Sequence, residues 1–223
     1  LFLNKNLRRD LGVWNFKKTN EIWVVNKSLS EGCSFAKKDS KTISGIRNFI
    51  PDLNTPIFEV PTAYDFNFWK NNEIKIQKTI LTVANITDKR TFERKGIPLF
   101  LYLAEQLPDF KFTLAGMKYQ LKTNSFPRNI KILGKQNGQQ LKSLYGLNEY
   151  YFQGSKIEGL PNVLCEAMLC ECIPLGNKVF GIPNAIGDTG IIFEGFSDIQ
   201  KVIDFLKDDK IKHGLKARKR IIK

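Results

Sequence analysis

The stretch "SKIEGLPNVLCEAMLCECIPLG" (residues 155–176) sets two of its carboxylates, Glu158 and Glu166, with seven residues and a Gly-Leu-Pro-Asn turn between them. An ionised carboxylate only accepts hydrogen bonds, and it can take two neighbouring hydroxyls at about 1.5–3 kcal/mol each. The vicinal diols of sugars are natural partners for such a pair. Pro161 suits the first position of a helix, where an N–H would be unpaired anyway and φ is preset. The free N–H groups and positive dipole end of such a start attract an anion, by roughly 0.3–1 kcal/mol per exposed charge and up to about 2 when partly buried. A diphosphate would fit there. A lone glutamate before or within a helix is ordinarily a solvated dipole partner or a surface residue. Glu166 differs, because Val163, Leu164, Cys165, Ala167 and Met168 leave little polar face around it, and a carboxylate so placed needs a partner.

A second group is cationic. In "FERKG" (residues 92–96), Arg94 and Lys95 follow a strand and immediately precede a helix. Loops after parallel strands face the ligand crevice, so two cations there would neutralise a leaving diphosphate. Taken alone, such a pair is ordinarily a solvated loop charge.

The elements that must position these residues read as a βαβ alternation from residue 78 onward. "KTILTVA" is a buried strand, "KGIPLFLYLAEQL" a helix and "FKFTLAG" a strand. "NIKILG", "YYFQ", "CIPLG" and "GIIF" follow as strands, with "GQQLKSLYG" and "LPNVLCEAML" as intervening helices. "SDIQKVIDFLKDD" is an amphipathic helix capped by Ser197 or Asp198, with Ile199, Val202, Ile203 and Leu206 on its apolar face. Short apolar strands separated by helices argue for a parallel sheet covered on both faces, which binds ligands beyond the carboxyl ends of its strands. The first seventy residues are less regular. "EIWVVNKS" (residues 21–28) reads as a strand, and "IFEVPTAYDF" (residues 57–66) as a short strand ending at Val60 and Pro61 before a loop.

Composition narrows the function classes. The 223 residues suffice for one large domain, or one domain and part of a second. No apolar run approaches the roughly 18–20 residues of a membrane-spanning helix. The opening "LFLNKNLRRDLGVW" is too polar for a signal peptide, and its Leu in place of Met suggests a fragment. Lys and Arg outnumber Asp and Glu by 35 to 22, and the net charge of +13 favours an anionic partner. Cys33, Cys165, Cys170 and Cys172 fit neither a disulfide framework nor a C-x-x-C pair, so reduced cytosolic thiols are expected. The single histidine, His213, leaves Ser-His-Asp, Cys-His and multi-His metal sites hard to build. Neither G-x-G-x-x-G nor G-x-x-x-x-G-K-[ST] is present, which argues against dinucleotide dehydrogenases and P-loop proteins.

Together, "TVANITDKRTFERKGIPLFLYLAEQLPDFKFTLAG", "NIKILG", "GSKIEGLPNVLCEAMLCECIPLG" and "GIPNAIGDTGIIF" resemble the C-terminal, donor-binding domain of the retaining glycosyltransferases of family 4, glycosyl transferases group 1, which have the GT-B fold. The likeness spans roughly residues 78–208. Its most specific element is the E-x7-E motif with "EGLPN". The implied fold is α/β, a Rossmann-like parallel sheet flanked by helices, with a remnant of a second Rossmann-like domain. Residues 1–70 would end the N-terminal acceptor domain and form the linker, and residues 71–223 would be the nucleotide-sugar-binding domain.

The resemblance also implies roles. Glu166 would accept the ribose hydroxyls of a nucleotide sugar and Glu158 would hold the hydroxyls of the donor sugar. Arg94 and Lys95 would clamp the diphosphate, and Gly159, Leu160, Pro161 and Asn162 would contact phosphate and sugar. Leu133, Gly134 and Lys135 would border the base. Ala84 and Asn85 stand where many members have Gly-Arg, so Arg94 would substitute for that arginine beside the donor. The implied reaction moves a sugar from a UDP- or GDP-linked donor to a glycan or lipid-linked acceptor in surface-polysaccharide or glycoconjugate biosynthesis. The leaving diphosphate would help deprotonate the acceptor on the same face, with retention and with neither a protein nucleophile, a metal nor a cofactor. An isolated fragment of such an enzyme is expected to be inactive, since the acceptor domain spans on the order of 150 residues. The expected location is cytoplasmic, with peripheral contact to the inner face of the membrane favoured by the basic excess beside Trp14, Phe16 and Trp69.

Three other readings remain at this level. A noncatalytic nucleotide-binding or interaction module has the same fold. A nucleic-acid-binding protein is suggested by charge, but the aromatics lie mostly in apolar runs rather than among Lys and Arg. A retaining glycosidase would need its two carboxyls about 5–5.5 Å apart.

Overall fold

The computed structural model describes residues 5–32, 44–118, 126–208 and 214–222, so Cys33 and His213 lie outside the described residues. The chain divides into two compact units, Leu1–Ala63 and Tyr64–Lys223.

The first unit contains α1 (Lys5–Lys18), β1 (Ile22–Val24), α2 (Lys27–Glu31), α3 (Ile46–Phe49) and β2 (Ile57–Glu59). β1 and β2 pair in parallel, with Ile22 opposite Ile57 and Trp23 opposite Phe58. Ile22 and Val24 share a small core with Ile50 and Leu53, and strand alternation turns Trp23 outward, 66% exposed. The strand expected over residues 21–28 is shorter than its apolar run, because Asn26 takes extended backbone and the chain turns into α2 at Lys27. The helix α1 was not expected from the polar sequence around it.

The second unit is the expected α/β layer. Its strands are β3 (Ile76–Ile86), β4 (Lys111–Met117), β5 (Ile130–Leu133), β6 (Asn148–Gln153), β7 (Ile173–Asn177) and β8 (Ile191–Phe193). They form one sheet in the order β5-β4-β3-β6-β7-β8, and every pairing is parallel. The period-two alternation explains why both faces are apolar. Ile80, Leu114, Tyr150 and Phe152 enter one core with α5 (Ile97–Gln106) and α9 (Ile199–Lys207). Leu81, Ala115 and Tyr151 enter the other with α6 (Gly138–Leu147), α7 (Asn162–Leu169), α8 (Ile182–Ile186) and α10 (Leu215–Ile222). In the first core Phe152 stacks on Phe193 with centroids 5.5 Å apart. The expected apolar face of α9 is buried through Ile199, Val202, Ile203 and Leu206.

Local chemistry accounts for the departures. The loop expected before Arg94 is the helix α4 (Lys89–Arg94), started by a reciprocal cap in which Asp88 accepts from the Thr91 N–H and Thr91 Oγ1 accepts from the Asp88 N–H. Neither Ser197 nor Asp198 caps α9 with its side chain: a 3-10 turn (Gly195–Asp198) leads into it, and Asp198 accepts instead from the Glu194 N–H. The division between the units falls before Tyr64 rather than after residue 70. Asp65 closes a turn by accepting from the N–H groups of Asn67 and Phe68, Trp69 packs edge-on against Tyr145, and Arg218 of α10 donates to the carbonyls of Phe66, Trp69 and Leu169.

Two glycines control the junction between α4 and the loop after β6. Gly96 has φ +71°, and a Cβ there would collide with the Gly154 carbonyl. Gly96→Ala is therefore expected to lower stability by about 2–3 kcal/mol in urea denaturation. Gly134→Ala, where a Cβ would meet nothing, is expected to stay within about 0.5 kcal/mol of the parent. Equal midpoints for the two variants would refute the backbone contact.

Candidate functional site

The strand order reverses between β3 and β6: the chain runs outward through β4 and β5 on one side and through β7 and β8 on the other. The loops after β3 and β6 therefore diverge and leave a crevice at the carboxyl edge of the sheet. The expected site residues on "FERKG" and "SKIEGLPN" follow these two strands.

Lys95 ends α4 and Glu158 lies in the loop between β6 and α7. Their side chains, 19% and 22% exposed, form an ion pair with Nζ 2.5 Å from Oε2. The loop is held in place to make it. Lys156 N–H donates to the Arg94 carbonyl at 2.8 Å, Gly154 lies against Gly96, and Gly181 N–H donates to the Gly159 carbonyl at 2.9 Å.

The same Glu158 oxygen accepts from Ser155 Oγ at 3.3 Å. Ser155 is fully buried, and its hydroxyl accepts from Gln153 Nε2 at 2.8 Å. Tyr151 O–H lies 3.4 Å from both Gln153 Oε1 and the Val83 carbonyl, so a polar chain runs from β3 through β6 to Glu158. Asn177 Nδ2 adds a bond to the Ser155 carbonyl. Each buried polar group in this chain has a partner, as burial requires. Sequence reasoning missed Ser155, Gln153 and Tyr151 as parts of the site. The available signal was a glutamine closing the apolar strand "YYFQ", since a polar side chain at a buried strand end must be bonded to something.

Glu166 lies in the second turn of α7, half-buried as its apolar neighbours implied, and its partner is Tyr145 of α6, whose O–H donates to Oε2 at 3.2 Å. Burial raises the pKa of the Glu166 carboxyl from its ordinary value, and the Tyr145 bond opposes that rise. Burial also holds the Tyr145 and Tyr151 phenols well above their ordinary value and pushes the Cys165 thiol up to about 11. The charge of both carboxylates reaches the buried Tyr151 phenol.

The remaining expected residues are distributed around this centre. Helix α7 begins at Asn162, with Pro161 as its cap in extended backbone, one residue later than expected. Among the described residues the N–H groups of Asn162 and Val163 carry no hydrogen bond, and the carbonyl of Pro161 accepts from Leu164 and Cys165. Asn162 Oδ1 accepts from Tyr64 O–H at 3.1 Å, a contact that the sequence did not suggest. Leu160 packs in the core beneath. Arg94 is half-buried beside Lys95 and makes no ion pair among the described residues. Ala84 and exposed Asn85 sit where β3 shifts register against β4, and Gly116 passes so close to the Ala84 carbonyl that a side chain there would collide. Leu133 ends β5, two strands from β3, and exposed Gly134 and Lys135 follow it. Their loop is pinned by Gly116 N–H donating to the Gly134 carbonyl.

Several other expectations are limited by the same structure. Trp69 is partly buried, with its ring edge-on to Tyr145, whereas Trp14 is 57% exposed. No helix among the described residues is long and apolar enough to cross a membrane. Cys165, Cys170 and Cys172 are free and buried. Among the described residues no three His, Cys, Asp or Glu side chains cluster as a metal site would need.

Comparison with known proteins places this geometry in a family. Residues 64–223 match the family described as glycosyl transferases group 1. No curated protein matches the chain. Sucrose-phosphate synthase from Thermosynechococcus elongatus superposes with a TM-score of 0.71 at 14% identity, over 98% of this chain and 57% of its own. HepE from Anabaena, solved with UDP-glucose, gives 0.69 at 14% identity over 98% of this chain and 63% of its own. A variant of TarM from S. aureus, solved with fondaparinux, alpha-GlcNAc-glycerol and UDP, gives 0.70 at 16% identity over 100% and 45%. The chain thus spans about half the length of these structures, and at such identities the likeness concerns the GT-B fold. Because the match covers well over half of the sequence and both charged motifs of the crevice, the chain belongs to the glycosyl transferases group 1 family.

Proposed function

We propose that this chain carries the donor site of a glycosyltransferase that moves a sugar from a nucleotide-diphosphate sugar to a glycan or lipid-linked acceptor. The observation that carries the reading is the ion pair between Lys95 and Glu158 at the crevice between β3 and β6, with Glu166 of α7, the helix that follows the Glu158 loop, held by Tyr145. Each carboxylate is anchored through one oxygen. Among the described residues the other oxygen carries no hydrogen bond and is available to a sugar or ribose hydroxyl.

In this reading Glu166 accepts from the ribose hydroxyls and Glu158 from the hydroxyls of the donor sugar. Lys95 has three N–H donors and spends one on Glu158 among the described residues, so two remain for the diphosphate. Arg94 and the unpaired N–H groups at the start of α7 add positive potential where the leaving oxygens gain charge. Gly159, Leu160, Pro161 and Asn162 shape the crevice wall, Asn85 borders it from β3, and Leu133, Gly134 and Lys135 lie at the base end. The departing diphosphate takes the acceptor proton on the face from which it leaves, and the sugar keeps its anomeric configuration. The relatives solved with UDP-glucose or with UDP support a uridine donor as the first to test.

Calorimetric titration of UDP-, GDP- and ADP-sugars is expected to show selective binding to the parent chain and its loss in Glu166→Ala. A folded parent chain that binds none of them would count against the donor site. In the enzyme, Lys95→Ala is expected to lower kcat by about 10²–10³ through loss of one donor to the leaving diphosphate. Near-normal turnover of that variant would remove Lys95 from the mechanism.

A further inference from the structure

Tyr145 is fully buried, yet its hydroxyl ends on a ligand-facing crevice residue rather than on the backbone around it. Its ring is fixed on two sides, edge-on to Trp69 at 5.7 Å and to Tyr151 at 5.8 Å. Its carbonyl is fixed as well, accepting from Lys75 Nζ at 2.6 Å and from Cys172 Sγ at 3.1 Å. A phenol held this rigidly delivers its O–H to one place, and that place is Glu166 Oε2.

We propose that Tyr145 is a positioning residue of the nucleotide site: its buried hydroxyl fixes one oxygen of Glu166 and leaves the other to accept from the ribose. The proposal rests on the reading of Glu166 as the ribose acceptor. A carboxylate with both oxygens unanchored would turn about its last bond and meet the diol in many orientations. One anchored oxygen removes that freedom before the ligand arrives, which is where preorganisation contributes to affinity.

The charge environment gives the hydroxyl a second consequence. The titratable groups around Glu166 are Tyr145 on α6, Tyr151 on β6 and Cys165 beside it on α7, with Cys172 before β7 acting on both tyrosines. Burial raises the pKa of each of them, so they remain protonated and neutral near pH 7. The cations that act on this core through Cys170 are directed elsewhere: Lys75 to the carbonyls of Tyr145 and Cys170, Arg218 of α10 to the carbonyls of Leu169, Trp69 and Phe66, and Lys142 of α6 over the Phe68 ring at 5.4 Å. The Tyr145 hydroxyl is therefore the group that opposes the effect of burial on Glu166. Without it, the carboxyl takes up its proton at higher pH, and a protonated Glu166 is a poorer acceptor for the ribose.

Tyr145→Phe keeps the ring, its edge contacts and its carbonyl while deleting the hydroxyl. Carbon-13 NMR titration of the glutamate carboxyls in the ligand-free chain, with Glu166 assigned by the loss of its signal in Glu166→Gln, is expected to show Glu166 titrating at higher pH in Tyr145→Phe than in the parent. UDP, GDP and ADP, each compared with its 2′,3′-dideoxy form by calorimetry, are expected to show a ribose preference that falls about tenfold in the variant, more steeply at about pH 5.5 than at about pH 8. A variant that only melts at lower temperature, with the titration and the ribose preference unchanged, would overturn the proposal and leave Tyr145 a packing residue. A parent chain with no ribose preference would overturn the ribose reading, whereas the titration alone still decides whether Tyr145 holds Glu166.

Discussion

The arrangement of the crevice depends on a backbone contact between two glycines. Gly96 follows Lys95 in left-handed backbone, and Gly154 follows the last residue of β6. A Cβ on Gly96 would strike the Gly154 carbonyl, and a Cβ on Gly154 would strike the Phe152 ring. With no side chain at either position, the start of α5 and the loop before α7 lie in direct contact. The bond from Lys156 N–H to the Arg94 carbonyl then fixes their register. Lys95 and Glu158, 63 residues apart in the chain, meet because this contact aligns their backbones.

Around that contact the protein places charge at the edge of the sheet and supports it with neutral polar groups from inside. A carboxylate moved fully into an apolar core would incur a large desolvation penalty, and a buried ion pair recovers it only with further hydrogen bonds. Here the ion pair remains partly exposed, and Ser155, Gln153 and Tyr151 carry its hydrogen bonding inward to the carbonyl of Val83. Glu166 is treated alike through Tyr145. The two tyrosine rings meet edge to face, so the supports of the two carboxylates share one packed wall of the second core. The family fold persists at 14–16% identity because its requirements are of this general kind: apolar alternation on six strands, small residues at close approaches and a few charges at strand ends.

The sequence by itself determined the six parallel strands of the second unit and most of its helices, since period-two apolar runs alternating with amphipathic segments admit few other arrangements. It also singled out Glu166, because a carboxylate in an apolar helix needs a partner, and it pointed to Lys95 and Glu158 through their loops after parallel strands and the family resemblance. It did not disclose α4, whose cap is a reciprocal bond between Asp88 and Thr91, or the true start of the second unit, set by Trp69 on Tyr145 and Arg218 on three carbonyls. Only the tertiary structure decided which groups hold the two glutamates. Tyr145, Ser155 and Gln153 read locally as ordinary helix, loop and strand residues. What distinguishes them is a distance to a partner, and that distance exists only once α6, β6 and α7 are packed on one sheet.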